Sequence, residues 1–123
     1  MVNRSEAEFL LGKELPDVPA MLAGARHLRK LGPAAAVVTA GSAGAVFADG
    51  DASGHVPAIA VPVIDTAGAG DAFAGALAAG LSSGLPLREA VTGAAEAAAV
   101  AVQTRGAQLR SLPGLAGQGE VRE

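Results

Sequence analysis

Apolar residues recur at helical spacing in several stretches of the chain and run together in short blocks between them. Ser5 to Leu11 reads as a short helix. Ser5 offers an N-cap oxygen, Glu6 and Glu8 stand in the first turn, where the helix dipole favours acids, and Gly12 ends it. From about Pro19 to Leu31, Met21, Leu22, Ala25 and Leu28 form one apolar face. Arg26, Arg29 and Lys30 gather toward its C-terminal end, and Gly32-Pro33 stops it. The pattern then changes. Ala34 to Ala40 and Ala45 to Ala48 are short apolar runs with Gly41-Ser42-Ala43-Gly44 between them, which predicts two strands joined by a glycine-rich turn. Asp49-Gly50 marks a further turn. His55 to Val63 reads as extended, and Pro57 and Pro62 confine it to an edge or an irregular strand.

Helical spacing returns after Asp65. Phe73, Ala76, Leu77, Gly80 and Leu81 mark one helix, closed by Ser82-Ser83-Gly84. Pro86 suits the first turn of another, with Leu87, Ala90, Val91, Ala94, Ala98, Ala101 and Val102 on one face. Beyond Arg105-Gly106 the chain turns polar and glycine-rich, which predicts a loop, and residues 113–123 read as a disordered tail. Helices, strands and then two long helices, with no internal repeat, predict an α/β layered fold, a sheet flanked by helices.

Composition narrows the function classes. A chain of 123 residues fits one domain with a real core. Its hydrophobic half is largely alanine, with three Phe and no Trp or Tyr, so each residue buries little apolar area. The absence of Cys excludes disulfides and Cys-based zinc sites. A net charge of −3, scattered along the chain, leaves no basic stripe for a nucleic acid. Asn3-Arg4-Ser5-Glu6 follows Met1 with no apolar leader, and Ala72 to Leu81 is too short and glycine-rich to span a bilayer of ~30 Å. The expectation is a cytoplasmic protein with neither a membrane nor a nucleic-acid partner. His27 and His55 have no companions at metal-ligand spacing and read as surface residues.

Candidate chemistry lies in Asp65-Thr66-Ala67-Gly68-Ala69-Gly70-Asp71-Ala72-Phe73. A strand leads in, a glycine-rich turn follows, and a helix starts at about Gly70. The first turn of a helix has backbone N–H groups without internal partners, and glycine lets an anion approach them. A carboxylate inside such a cradle is unexpected for a plain phosphate binder. It makes sense if Asp71 takes a proton from an attacking hydroxyl while the amides stabilise a transferring phosphoryl group. The plainer alternative is that Asp71 only complements the helix dipole.

This run resembles the C-terminal signature of the ribokinase/PfkB family of carbohydrate kinases, Asp-Thr-x-Gly-Ala-Gly-Asp followed by a helix of small and apolar residues. Phe73, Gly75 and Ala76 also stand where that signature has them. The resemblance implies that Asp71 is the catalytic base and that Gly68, Ala69 and Gly70 form the anion hole. Asn3-Arg4-Ser5-Glu6 is similar to the family's Asn-x-x-Glu motif, which handles Mg²⁺ and the ATP phosphates, with Glu6 acting on the metal through water. Read without that likeness, Asn3 and Ser5 are helix caps and Glu6 suits the dipole. Val38-Thr39-Ala40-Gly41-Ser42-Ala43-Gly44 is similar to the strand-turn that lines the family's nucleotide pocket, which assigns Thr39, Gly41 and Gly44 to the nucleotide. Read alone, it is a hairpin turn.

Asp65 and Ala67, with Ala101, Thr104, Gly106 and Ser111 near the expected final loop, match a monovalent-cation site in ribokinases, so K⁺ is the implied activator. The likeness runs from Asn3 to about Leu112, with residues 1–112 as the nucleotide-binding portion, and covers well under half of the family's usual length. It implies the C-terminal part of a ribokinase-like layered fold, without the family's N-terminal sugar-binding half. The implied reaction is ATP-dependent phosphorylation of a sugar hydroxyl, a pentose by preference, with ATP and Mg²⁺. The alternative is a nucleotide-binding module with no kinase activity of its own. The partners implied are ATP and a small sugar, with a second copy or a separate N-terminal half to complete the site.

Overall fold

The computed structural model describes residues 1–61 and 68–111, except for the side chains of 104–111. It begins with β1 (Val2–Asn3), α1 (Arg4–Leu11) and α2 (Val18–Lys30). Strand β2 (Ala36–Thr39), a 3₁₀ turn (Gly41–Ala43), β3 (Ala45–Ala48) and β4 (Ser53–Val56) follow. Helices α3 (Ala69–Ser82) and α4 (Leu87–Ser111) complete the described chain. The strands form one sheet in the order β1-β2-β3-β4. β1 pairs parallel with β2, and the β2–β3 and β3–β4 pairs are antiparallel.

Alternation along the strands sorts side chains to two faces. Ala36, Val38, Val46 and Ala48 join Ala7, Leu15, Met21, Ala25 and Leu28 in the core beneath α1 and α2. Val37, Ala45, Phe47 and Val56 face the other way and pack with Phe73, Leu77, Leu87, Ala90, Val91 and Ala94 of α3 and α4. Small residues let those two helices close on each other. A Cβ at Gly80 would stand 3.2 Å from Cβ of Ala90. The alanine-rich composition therefore substitutes close helix approach for bulk.

Several expected boundaries move, each for a local reason. α1 starts at Arg4 because Asn3, not Ser5, caps it. Oδ1 of Asn3 accepts from the Glu6 amide at 2.8 Å, and Oε1 of Glu6 accepts from the Asn3 amide at 2.8 Å, a reciprocal capping box. Asn3→Ala is expected to cost about 1 kcal/mol in a urea titration, whereas Asn3→Ser, which keeps a capping oxygen, stays near wild type. α2 starts at Val18 because Asp17 caps it through the Ala20 amide at 2.9 Å. Asp49 shapes the β3–β4 turn by accepting from the amides of Asp51 and Ala52, each at 2.8 Å. Those two bonds, with Arg29 nearby, hold its carboxyl below the usual aspartate range. β4 ends at Val56, since Pro57 has no N–H to give a ladder. The strand expected from His55 to Val63 is observed as Ser53–Val56, starting two residues earlier, and residues 57–61 are not in a strand.

The largest difference is at the end. The loop expected after Arg105-Gly106 is helix: α4 continues to Ser111. Ala107, Gln108, Leu109 and Arg110 are good helix formers, and one interior glycine costs only ~1 kcal/mol. Among the described residues no helix is long and apolar enough to cross a membrane. The expected tail, residues 113–123, lies outside the described residues.

Candidate active site

Strand direction gathers five of the candidate residues, Asn3, Glu6, Thr39, Gly41 and Gly44, at one end of the sheet. β1 and β2 are parallel, and β4, two antiparallel steps beyond β2, runs the same way as both. Their carboxyl ends therefore share an edge, where α/β sheets commonly hold ligands. Register makes the placement specific. Asn3 stands opposite Thr39, Thr39 opposite Ala45, and Ala45 opposite Val56. This row carries the ends of β1, β2 and β4. Immediately beyond it come the N-terminus of α1, with Glu6, and the 3₁₀ turn, with Gly41 and Gly44. Two motifs separated by more than thirty residues thus become neighbours through a two-residue strand.

Asn3 and Glu6 are exposed, and their side chains form the capping box. The box uses one Glu6 oxygen, so the carboxylate keeps a second oxygen for a water or a hard cation. Among the described residues no three His, Asp or Glu side chains cluster as a metal cage.

The turn after β2 is closed by the Ala40 amide donating to the Gly44 carbonyl at 2.8 Å. Gly44 has φ +88°, and a Cβ there would overlap the Val56 carbonyl oxygen and stand 2.7 Å from the Ala58 amide nitrogen. Only glycine satisfies both conditions, so Gly44 seats the turn against the chain leaving β4.

The chain then reaches α3 through Gly68, its N-cap, at φ +84° and with no side-chain capping bond. The first bond of the helix is from the Ala72 amide to the Gly68 carbonyl at 3.0 Å. The amides of Ala69, Gly70 and Asp71 precede that bond and point out of the helix end without an intrahelical acceptor. Among the described residues nothing lies within 4 Å of the Cβ positions of Gly68 or Gly70, so the amides can be approached closely. Asp71 is exposed in the first turn. Two residues on, Phe73 is buried in the core cluster that holds Ala45 and Val56, which anchors the start of α3 to the sheet.

Not every candidate is brought together. Asp65 and Ala67 lie outside the described residues. Ala101, Thr104 and Gly106 lie within α4, where backbone carbonyls point along the axis toward the amides four residues on, and Ser111 is its last residue. The described chain therefore has a helix where an open loop of carbonyls was expected for the cation. One residue escaped the sequence reading. His55, taken as a surface residue, is half-buried, with Nε2 2.6 Å from the Ala43 carbonyl oxygen.

Residues 1–114 match the pfkB family of carbohydrate kinases, and the chain belongs to that family. The bifunctional ribokinase/ribose-5-phosphate isomerase A of Fructilactobacillus sanfranciscensis is 38% identical over 112 residues, covering 90% of this chain and 21% of that protein. Mouse ribokinase is 38% identical over 110 residues, covering 86% of this chain and 34% of its own length. Among solved structures, Arabidopsis thaliana ribokinase complexed with ribose and ATP superposes with a TM-score of 0.73 at 31% identity, over 82% of this chain and 33% of that one. Escherichia coli phosphofructokinase-2, in complex with substrates and products, gives 0.75 at 28% identity, over 81% and 33%. The fold is that of the ribokinase-like kinases, and the chain spans about a third or less of the length of these relatives.

Proposed function

We propose that this chain supplies the ATP-binding and catalytic-base part of a ribokinase-like sugar kinase, which transfers a phosphoryl group from ATP to a hydroxyl of a small sugar, a pentose by preference. The observation that carries the reading is the uncapped N-terminus of α3, open at Gly68 and Gly70, with the Asp71 carboxylate exposed in its first turn. In this reading Asp71 accepts the proton of the attacking hydroxyl. The amides of Gly68, Ala69 and Gly70 receive the charge on the transferring group, so the work is positioning and electrostatics. Thr39, Gly41 and Gly44 line the nucleotide side. Asn3 and Glu6 sit beside them, with Glu6 acting through water on the Mg²⁺ that neutralises the phosphates. Asp65, Ala67 and the end of α4 are retained as the proposed position of an activating K⁺.

The share of the relatives' length that the chain covers favours a second reading, a nucleotide-binding module without kinase activity of its own. Isothermal titration of the chain with MgATP tests what both readings have in common. Saturable binding is expected, and titration heats no different from buffer would sink both. ADP formation in the presence of a pentose then separates one reading from the other.

A further inference from the structure

The 3₁₀ turn is a short, glycine-rich stretch in which no side chain makes a capping bond. Its own bonds are the closing one from the Ala40 amide to the Gly44 carbonyl at 2.8 Å, and those from the Ala43 amide to the Ala40 carbonyl and from the Gly44 amide to the Gly41 carbonyl, each at 3.0 Å. Gly41 and Ser42 are exposed, and glycines bracket the turn. A stretch so rich in glycine has many conformations to lose on meeting a ligand, and that loss weakens binding. Two contacts from β4 oppose it. One is the close seating of Gly44 on the Val56 carbonyl. The other is His55, whose Nε2 stands 2.6 Å from the oxygen of Ala43, the last residue of the turn. A carbonyl oxygen only accepts, so Nε2 carries a proton and donates. His55 itself is fixed, paired with Val46 in the β3–β4 ladder.

We propose that His55 is a positioning residue, whose Nε2–H bond to the Ala43 carbonyl fixes the Gly41–Ala43 turn in the shape that receives the nucleotide. The inference rests on the reading of Thr39, Gly41 and Gly44 as nucleotide-binding. His55 touches no phosphate or sugar in this account. It acts through the turn, and it ties that turn to the strand whose continuation runs on toward Gly68 and Asp71.

The test uses the 123-residue chain itself. ATP affinity is measured by isothermal titration for wild type, His55→Phe and His55→Gln, well below each unfolding temperature, and thermal unfolding is recorded in parallel. Phe keeps the bulk and loses the donor. The Gln amide nitrogen is as many bonds from the backbone as Nε2 of His. His55→Phe is expected to bind ATP roughly fivefold more weakly, the factor of one net hydrogen bond, and His55→Gln to recover most of that. A merely structural His55 would lower the unfolding temperature of His55→Phe and leave its ATP affinity at the wild-type value, which overturns the proposal. Failure of a folded His55→Gln to recover affinity overturns it as well. His55→Asn, one bond too short to reach Ala43, carries the same comparison should His55→Phe not fold. Absence of ATP binding by wild type is a different failure: it removes the nucleotide reading, and the proposal with it.

Discussion

Asp71→Asn, in a kinase to which this chain supplies the C-terminal part, is expected to lower kcat by about 10²–10⁴-fold, the usual worth of a general base. ATP affinity should change little. The substitution keeps the size of the side chain and its place in the first turn of α3, where Asp71 is exposed and touches none of the core that Phe73 anchors. The amides of Ala69 and Gly70 remain, so the phosphate cradle survives. What disappears is the carboxylate proposed to accept the hydroxyl proton. The expected signature is therefore a fall in kcat and kcat/KM together, with the KM for ATP held. Steady-state kinetics with MgATP and the preferred sugar read it directly. A variant keeping more than about a tenth of wild-type turnover would remove Asp71 from the role of base. Helix stability supplies a control: if Asp71 mainly complements the α3 dipole, Asn costs a fraction of a kcal/mol in unfolding and little in rate.

Much of this arrangement was legible in the sequence because it depends on short-range rules. The spacing of Met21, Ala25 and Leu28 predicted the buried face of α2, and all three are in the core. The apolar runs on either side of Gly41–Gly44 predicted the β2–β3 hairpin. Gly68-Ala69-Gly70-Asp71 predicted a helix with an open first turn. The features that escaped depend on register or on distant partners. Nothing local to His55 says that its ring meets Ala43, because that contact requires β4 to lie beside β3 and the turn to fold back over it. Leu15 is a lone apolar residue in a polar connection, yet it is 1% exposed, held by its amide donating to Glu8 at 2.8 Å. Gly54 looks like a turn residue, but it is an approach point: a Cβ there would stand 2.9 Å from the ring of Phe47, over which Arg88 lies at 4.9 Å. Asn3 and Glu6 were visible as a candidate pair, but sequence spacing neither chose between a cap and a phosphate site nor showed that Asn3 rather than Ser5 caps α1. The structure supplies the cap and leaves the second oxygen of Glu6 for the proposed role.

The 123-residue chain by itself is expected to form no detectable ADP from ATP, Mg²⁺, K⁺ and ribose, and to bind ATP all the same. In the proposed reading its residues supply the nucleotide site and the base but not the contacts that hold the acceptor sugar. Asn3, Glu6, Thr39, Gly41 and Gly44 gather where the nucleotide is proposed to lie, and Asp71 stands at an open helix end. The chain covers only 33% of the Arabidopsis ribokinase that was solved with ribose and ATP. Among the described residues the sheet is also open on the β1 side. β1 pairs only with Val38 and Thr39, so Ala36 and Val37 have no partner from β1 beside an apolar groove of about 280 Å³ lined in part by Met1, Leu10 and Leu31. Holding a hydroxyl in line with the phosphorus and beside its base can supply ~7–11 kcal/mol of barrier reduction. Forfeiting most of that term slows turnover by roughly five orders of magnitude or more, at ~1.4 kcal/mol per factor of ten. A kinase rate of ~1–100 s⁻¹ would then fall below the reach of a coupled assay. The measurement is ADP release by the purified chain, with light scattering to report its oligomeric state. Turnover of ribose in the ordinary kinase range would mean that the acceptor site is built from these residues after all, in one copy or between two.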